Sequence, residues 1–223
     1  GTLQDIGFPG ELQSILAGVS DSGLVAGTSN LPYGLDRPVY APNCPGYPSY
    51  FYYIIFRAFA WTAEDGIVDL GAFNGPHGDG LNSTVGGFLS HQGEDAQGTI
   101  VGRASIPVLP VNDVTGAFLG HPFLWTKSGG MKDLSPLPLD PCLDPDSALD
   151  PCEACRHGVH FDGSASYVDD GEVAGSWVMV DLDDLSKTTY QHGFFWSETS
   201  KFVDIGTLGG TQSYVNQLRQ GEV

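Results

Sequence analysis

Positive charge is what this chain has least of. Nine lysines and arginines stand against 27 aspartates and glutamates in 223 residues, a net charge of −18. A field of that sign repels phosphate backbones and anionic lipid, which argues against a nucleic-acid partner and leaves cations, neutral sugars and basic proteins. Long hydrophobic runs are absent too. No stretch approaches the roughly 18 uninterrupted apolar residues of a membrane-spanning helix, so no membrane span is expected. No signal peptide is visible, and the chain starts in a strand-like segment as a mature or trimmed protein would. Helix signals are nearly missing, the single candidate being the short stretch 181–187.

Catalytic signatures are missing as well. There is no Gly-x-Ser-x-Gly elbow, no phosphate-cradling loop and no His-Glu-x-x-His. A glycosidase or lyase would need two carboxylates, or a tyrosine and a histidine, facing each other across a cleft. Acids are plentiful, but the sequence does not bring two of them together, and no catalytic residue is assigned.

Turn residues, in contrast, abound. Glycine (31) and proline (15) accompany 41% hydrophobic residues, so they punctuate short elements rather than mark disorder. Three motifs recur among them. The first is Gly-x-Val/Ile-x-Gly: Gly23 to Gly27, Gly98 to Gly102, Gly171 to Gly175, and a clipped copy at Gly221 to Val223. The second places Phe-x-Trp after a basic residue or histidine: Arg57 to Trp61, His121 to Trp125, His192 to Trp196. The third is Asp-Leu/Ile at Asp69, Asp133 and Asp204. Tryptophan to tryptophan (61, 125, 196) is 64 and then 71 residues, and the aspartates repeat both steps. A period kept by separate motifs marks a supersecondary unit that must stack to bury its core.

Each unit divides into four strand-like runs. Strand A covers 14–20, 83–90 and 164–168; B is the glycine motif; C carries Phe and Trp, spaced by two and so on one face; D ends in Asp-Leu/Ile. This predicts an all-β, β-propeller-like fold with four-stranded antiparallel blades of about 65–70 residues. The chain reads as a single repeat domain, 1–223. Residues 2–7 match strand D of a closing blade, followed by blades over 8–71, 72–135 and 136–206 and a partial blade over 207–223. A lone D strand first and A–B strands last would close a ring by sharing one blade between the termini. Three whole blades fall below the usual minimum of about four, so the expectation is a fragment of a longer chain, or completion of the broken blade by a partner copy. The C–D turns and the A–B turns of the first and third repeats are short, the second A–B turn is looser, through Gly93 to Gly98, and the long insertions (29–56, 105–118, 177–190 and 136–163) all emerge on one edge. Loops on one side of a rigid scaffold are where binding usually resides.

The run from Asp204 to Ser213, followed by a Gly-x-Val run and His-x-Phe-x-Trp, resembles the HAF repeat of bacterial proteins assigned to the extracellular space. The likeness extends over nearly the whole chain and is degenerate at 71–83. Arg57 replaces the name-giving histidine, and Pro122 and Gly193 replace the alanine. The resemblance implies export to the extracellular space or cell surface, β-rich repeats and no assigned catalytic residue.

Periodicity sorts the candidate residues. His121 and His192 share one repeat position and are expected to be structural, as are the strand C aromatics. Asp69, Asp133 and Asp204 are expected to bond local backbone at a strand end. The non-repeating loops hold the other candidates. Tyr33, Tyr40, Tyr47 and Tyr50 offer aromatic faces with polar tips for carbohydrate or protein, although part of 50–56 also reads as an extension of strand C. Asp144, Asp146, Asp181 and Asp183 lie in oxygen-rich loops that suit Ca2+, but match no twelve-residue calcium loop, so solvated acidic loops are the alternative. Cys44, Cys142, Cys152 and Cys155 form two disulfides in an exported protein, in one of three pairings. Alternatively, Cys142, Cys152 and Cys155 join His157 or His160 around Zn2+. Arg156 interrupts a haem-attachment pattern. Asn82-Ser83-Thr84 is a glycosylation sequon. Two functions follow: a secreted non-catalytic repeat protein that binds extracellular protein or carbohydrate or self-assembles through its incomplete terminal blade, or a secreted carbohydrate-active enzyme with its acids on the loop face.

Overall fold

Left-handed turns fold each repeat into hairpins. Gly23, Gly98 and Gly171, the first glycines of the B motif, have φ of +82°, +82° and +77°, a region that other residues enter at a cost of about 1–2 kcal/mol. At the C–D turns the hydroxyl after each tryptophan fixes the bend. Thr62, Thr126 and Ser197 each accept the N–H of the residue three further on, at 3.0 Å. Gly66, Gly130 and Lys201 then take φ of +72°, +68° and +56°.

The computed structural model describes residues 6, 13–20, 22–31, 55–75, 78–79, 83–86, 98–105, 120–136, 159–181, 186 and 191–219. Sheet 1 joins β1 (Gln13–Val19), β2 (Val25–Leu31), β3 (Ile55–Thr62) and β4 (Gly66–Gly71). A small hairpin follows, β5 (Asn74–Gly75) with β6 (Gly78–Asp79). Sheet 2 joins β7 (Ser83–Val85), β8 (Ile100–Ser105), β9 (Gly120–Thr126) and β10 (Gly130–Asp133). Sheet 3 joins β11 (Val159–Asp169), β12 (Glu172–Asp181), β13 (His192–Ser197) and β14 (Lys201–Asp204). All three are antiparallel in chain order, the A–B–C–D order read from the repeats. Among the described residues they do not close into a ring, and no helix is long and apolar enough to cross a membrane.

The second glycine of the B motif has a steric reason. Gly27, Gly102 and Gly175 lie directly opposite Phe59, Phe123 and Phe194. A Cβ on these glycines would come within 2.7–2.8 Å of the ring opposite and would strike the strand A carbonyl of Ile15, Thr84 or Ser164. The three phenylalanines are fully buried. Strand A kinks beside two of these contacts, with register breaks between Leu16 and Gly18 and between Ala165 and Tyr167.

The core lies in two seams between sheets. In the first, Leu24, Ala26, Ala58, Ala60 and Leu70 of sheet 1 meet Ile100, Phe123 and Trp125 of sheet 2. In the second, Val101 and Leu134, with Leu124, meet Ala165, Val173, Phe194 and Trp196 of sheet 3. Alternation along β9 thus sends Phe123 and Trp125 back to the preceding sheet and Leu124 forward to the next. Each buried Phe or Leu contributes roughly 1.5–3 kcal/mol relative to exposure.

Several boundaries differ from expectation. β12 runs on to Asp181 and β11 begins at Val159, so parts of the expected insertions 177–190 and 136–163 are strand. Ten residue pairs hold β11 to β12, and the apolar run Trp177 to Val180 continues the ladder. Asp181 therefore ends a strand instead of starting a helix; of the rest of that stretch only Ser186, in 3-10 geometry, is described. β7 stops at Val85, where Gly86 turns with φ +65°. Of the expected first D strand only Ile6 is described, and the clipped B copy at 221–223 lies outside the described residues.

Substituting glycines of the two kinds separates their roles. Gly102→Ala is expected to cost roughly 3 kcal/mol through overpacking, and Gly130→Ala about 1 kcal/mol, from its φ alone. Urea unfolding measures both, and equal costs would contradict the assignment.

Candidate functional site

One polar cluster recurs in all three sheets, built from the basic residue that opens strand C and the aspartate that closes strand D. Arg57 Nη2 donates to Asp69 at 3.1 Å. His121 Nδ1 lies 2.8 Å from Asp133 Oδ2, and His192 Nδ1 lies 3.1 Å from Asp204 Oδ2. Twelve residues separate the partners each time. A C–D hairpin of constant length brings them together. The other carboxylate oxygen accepts a backbone N–H two residues on, from Gly71, Ser135 and Gly206, each at 2.8 Å. This is the backbone role expected of the aspartates, with a cross-strand partner added.

A histidine beside a carboxylate is also the arrangement of an acid–base pair, but the geometry here serves a different role. His121 is 2% exposed. Its ring stands edge-on to Phe73 and Phe161, with centroids at 6.2 and 5.5 Å, and so is packed among core aromatics. Both carboxylate oxygens of Asp133 are engaged within sheet 2. The equivalent residue in sheet 1 is Arg57, whose guanidinium offers donors and no acceptor. A position that accepts arginine in one repeat and histidine in two others holds strands C and D together. His192 is more open and meets the Trp177 ring edge-on at 5.6 Å.

A second recurring device joins neighbouring sheets. Ser83 Oγ accepts the Ala58 N–H at 2.9 Å and donates to the Gly71 carbonyl at 2.5 Å, pinning the start of sheet 2 to sheet 1. Ser213 Oγ accepts the Gly193 N–H at 2.9 Å in the same way. Between sheets 2 and 3 both partners change. Pro122 stands at the Ala58 position and has no N–H, while Gly163 stands at the Ser83 position and has no hydroxyl. A Cβ on Gly163 would come within 3.1 Å of Pro122 Cδ. Asp162 supplies the missing link, accepting from Arg103 Nη2 at 2.8 Å and from the Gly120 N–H at 2.9 Å.

Ion pairs also cross the seams on the short-turn edge. Lys127 lies 2.5 Å from Asp65, and Lys132 reaches Glu198, which Lys201 also contacts at 2.8 Å. Lys127 lowers the Asp65 carboxyl and is itself raised by it, and Lys132 followed by Lys201 pulls Glu198 down to about 2. These groups are exposed, so they orient the edge more than they stabilise it. Asp204 is lowered as well, by a different set of partners. Burial would raise its carboxyl, but the Gly206 N–H and then His192 hold it below 3.8.

Among the loop candidates, Asp181 ends β12 at the edge that carries the long connections. Tyr33, Tyr40, Tyr47, Tyr50, Cys44, Cys142, Cys152, Cys155, Asp144, Asp146 and Asp183 lie outside the described residues. Among the described residues no three potential metal ligands come together. Ser83, the middle residue of the sequon, is buried in the first seam.

Removing the aspartates grades the clusters by burial. Asp133→Ala is expected to cost about 2–3 kcal/mol, because it strands a buried imidazole, and Asp69→Ala under about 1 kcal/mol at its exposed site. Equal unfolding midpoints for the two variants would contradict this. Asp204 gives a pH test. A lowered carboxyl contributes stability above the ordinary value of 3.8, and the contribution is lost as pH falls below that through the folded value. Asp204→Asn should therefore lower the unfolding midpoint at pH 6 and narrow the gap to wild type at pH 3; a constant gap would contradict it. Comparison with protein-family models, curated proteins and solved structures finds no match to this chain.

Proposed function

We propose that the chain is a non-catalytic, extracellular repeat module of β-propeller type, its three sheets serving as blades and its long connections as the binding edge for a protein or carbohydrate. The observation that carries this reading is the closure of the recurring polar clusters on the scaffold itself. Arg57–Asp69, His121–Asp133 and His192–Asp204 spend their donors and acceptors holding strands C and D. Recognition is then left to the segments that do not repeat. Connections 32–54, 106–119, 137–158 and 182–190 leave from the edge opposite the C–D turns and the tight A–B turns of sheets 1 and 3; the longer A–B connection of sheet 2, 86–99, lies on that opposite edge. The first carries Tyr33, Tyr40, Tyr47 and Tyr50 among prolines and glycines, a composition suited to stacking on sugar rings or packing on a protein surface.

The net charge of −18 favours neutral or basic ligands over anionic ones. The resemblance to HAF repeats supports the location. In that setting Cys44, Cys142, Cys152 and Cys155 are paired as disulfides, and the acidic loops around Asp144, Asp146, Asp181 and Asp183 are the place for a structural calcium ion.

Replacing residues 33–53 by a Gly/Ser linker of equal length tests the reading against immobilised polysaccharides and basic extracellular proteins. The expected result is lost binding with the thermal midpoint kept within a few degrees. Undiminished binding, or release of cleaved sugar by the parent chain, would contradict it.

A further inference from the structure

The seam between sheets 2 and 3 departs from the repeat where the long connections leave it. In the first seam the Ser83 hydroxyl, 1% exposed, serves one backbone N–H and one carbonyl. In the second that hydroxyl and its donor are gone, and the Gly120 N–H needs a single acceptor. Asp162 brings more than that. Its Oδ1 accepts from the Gly120 N–H at 2.9 Å, Arg103 Nη2 at 2.8 Å and Arg103 Nε at 3.2 Å. Among the described residues none donates to its Oδ2. The repeating aspartates differ. Asp69, Asp133 and Asp204 each engage both oxygens, with a backbone N–H and with Arg57, His121 or His192.

Position and charge narrow what the spare oxygen can serve. Arg103 stands two residues before β8 ends, Gly120 opens β9, and Asp162 is the fourth residue of β11. The cluster therefore borders connections 106–119 and 137–158, on the edge that carries the long connections. The Arg103 and Asp162 side chains are 33% and 29% exposed, so the pair is open to solvent while three bonds fix its geometry. The guanidinium also cancels the carboxylate charge at close range. That removes the attraction a metal ion or an ammonium group would need. A neutral hydroxyl needs only a fixed acceptor, and a carboxylate oxygen makes the stronger kind of hydrogen bond with it.

We propose that Asp162 Oδ2 is the hydroxyl acceptor of a carbohydrate site on the loop edge, with Arg103 and the Gly120 N–H as its positioning groups. A sugar hydroxyl donates to Oδ2, while Oδ1 stays bound to the scaffold and holds the carboxylate in one orientation. The exchange in this seam then has a reason. A serine at 163 would meet no donor on Pro122, whereas the aspartate one residue earlier both ties the sheets and keeps an acceptor in reach of solvent. The proposal rests on the loop-edge reading above and narrows its ligand to a neutral saccharide.

Calorimetry of the 223-residue chain with neutral oligosaccharides of glucose, mannose, galactose and N-acetylglucosamine tests it, with oligolysine as the cationic probe. Asp162→Asn keeps an oxygen for Arg103 and Gly120 and puts an amide NH2 where Oδ2 stood. It should weaken sugar binding by about tenfold or more, with the thermal midpoint within a few degrees of the parent. O-methylation of the recognised hydroxyl should cost the parent a similar factor and cost the variant nothing further. Should Asp162→Asn not fold, the parent alone decides, because its affinity must drop on blocking a single hydroxyl. Equal affinity of the parent and the folded variant would overturn the proposal, as would indifference to every hydroxyl. So would a parent that binds no neutral sugar, whether or not it binds oligolysine. Sugar binding that survives Asp162→Asn but is lost on replacing 33–53 removes this proposal and leaves the loop-edge reading standing.

Discussion

A phenylalanine ring lying over a bare glycine on the next strand is the contact on which the rest of this structure depends. It occurs at Phe59 on Gly27, Phe123 on Gly102 and Phe194 on Gly175. Because the glycine has no side chain, strand A approaches strand B closely and the ring sinks to full burial. The tryptophan two residues on is then drawn to the same face, and the residue between them is left to the opposite face. One contact therefore sets the register of three strands and decides which side of the sheet meets each neighbour. A sheet with two apolar faces cannot be stable alone, so the pattern obliges neighbours to stack.

The polar devices secure what that contact arranges. The Arg/His–Asp clusters tie strand C to strand D within a sheet, Ser83 and Asp162 tie one sheet to another, and Ser213 ties the segment after β14 to sheet 3. The exchange at Pro122 and Gly163 indicates how strictly the seam is specified. Where proline removes the donor, the hydroxyl that would have accepted from it is gone too, and a carboxylate on the adjacent residue bridges the same two sheets. An uncompensated proline would leave a buried hydroxyl short of a partner, with the desolvation cost that entails.

Much of this fold was legible in the sequence, because the period is carried by residues with few substitutes. A left-handed turn needs glycine, a ring packed on backbone needs glycine beneath it, and Phe-x-Trp spaced by two names a strand face. Strand order and the short turns followed directly. The Arg57–Asp69 type of pairing was less visible, since a separation of twelve residues has meaning only once the hairpin register is known. The hydroxyls of Thr62, Thr126 and Ser197 were legible in principle, one residue after each tryptophan. Phe161, stacked on Trp177 at 5.7 Å, was hidden because its strand lies within what reads as a loop rich in proline and aspartate. The loop candidates rest on composition alone, and composition does not fix which side chains converge.

Stability resides in the seams, and among the described residues sheet 2 is the one packed against a neighbouring sheet on both faces. Native-state hydrogen exchange resolved by strand tests this most directly. The account predicts that amides of β8 and β9 exchange slowest, with β2, β3, β12 and β13 faster. Exchange in β8 and β9 as fast as or faster than in the flanking sheets would contradict it.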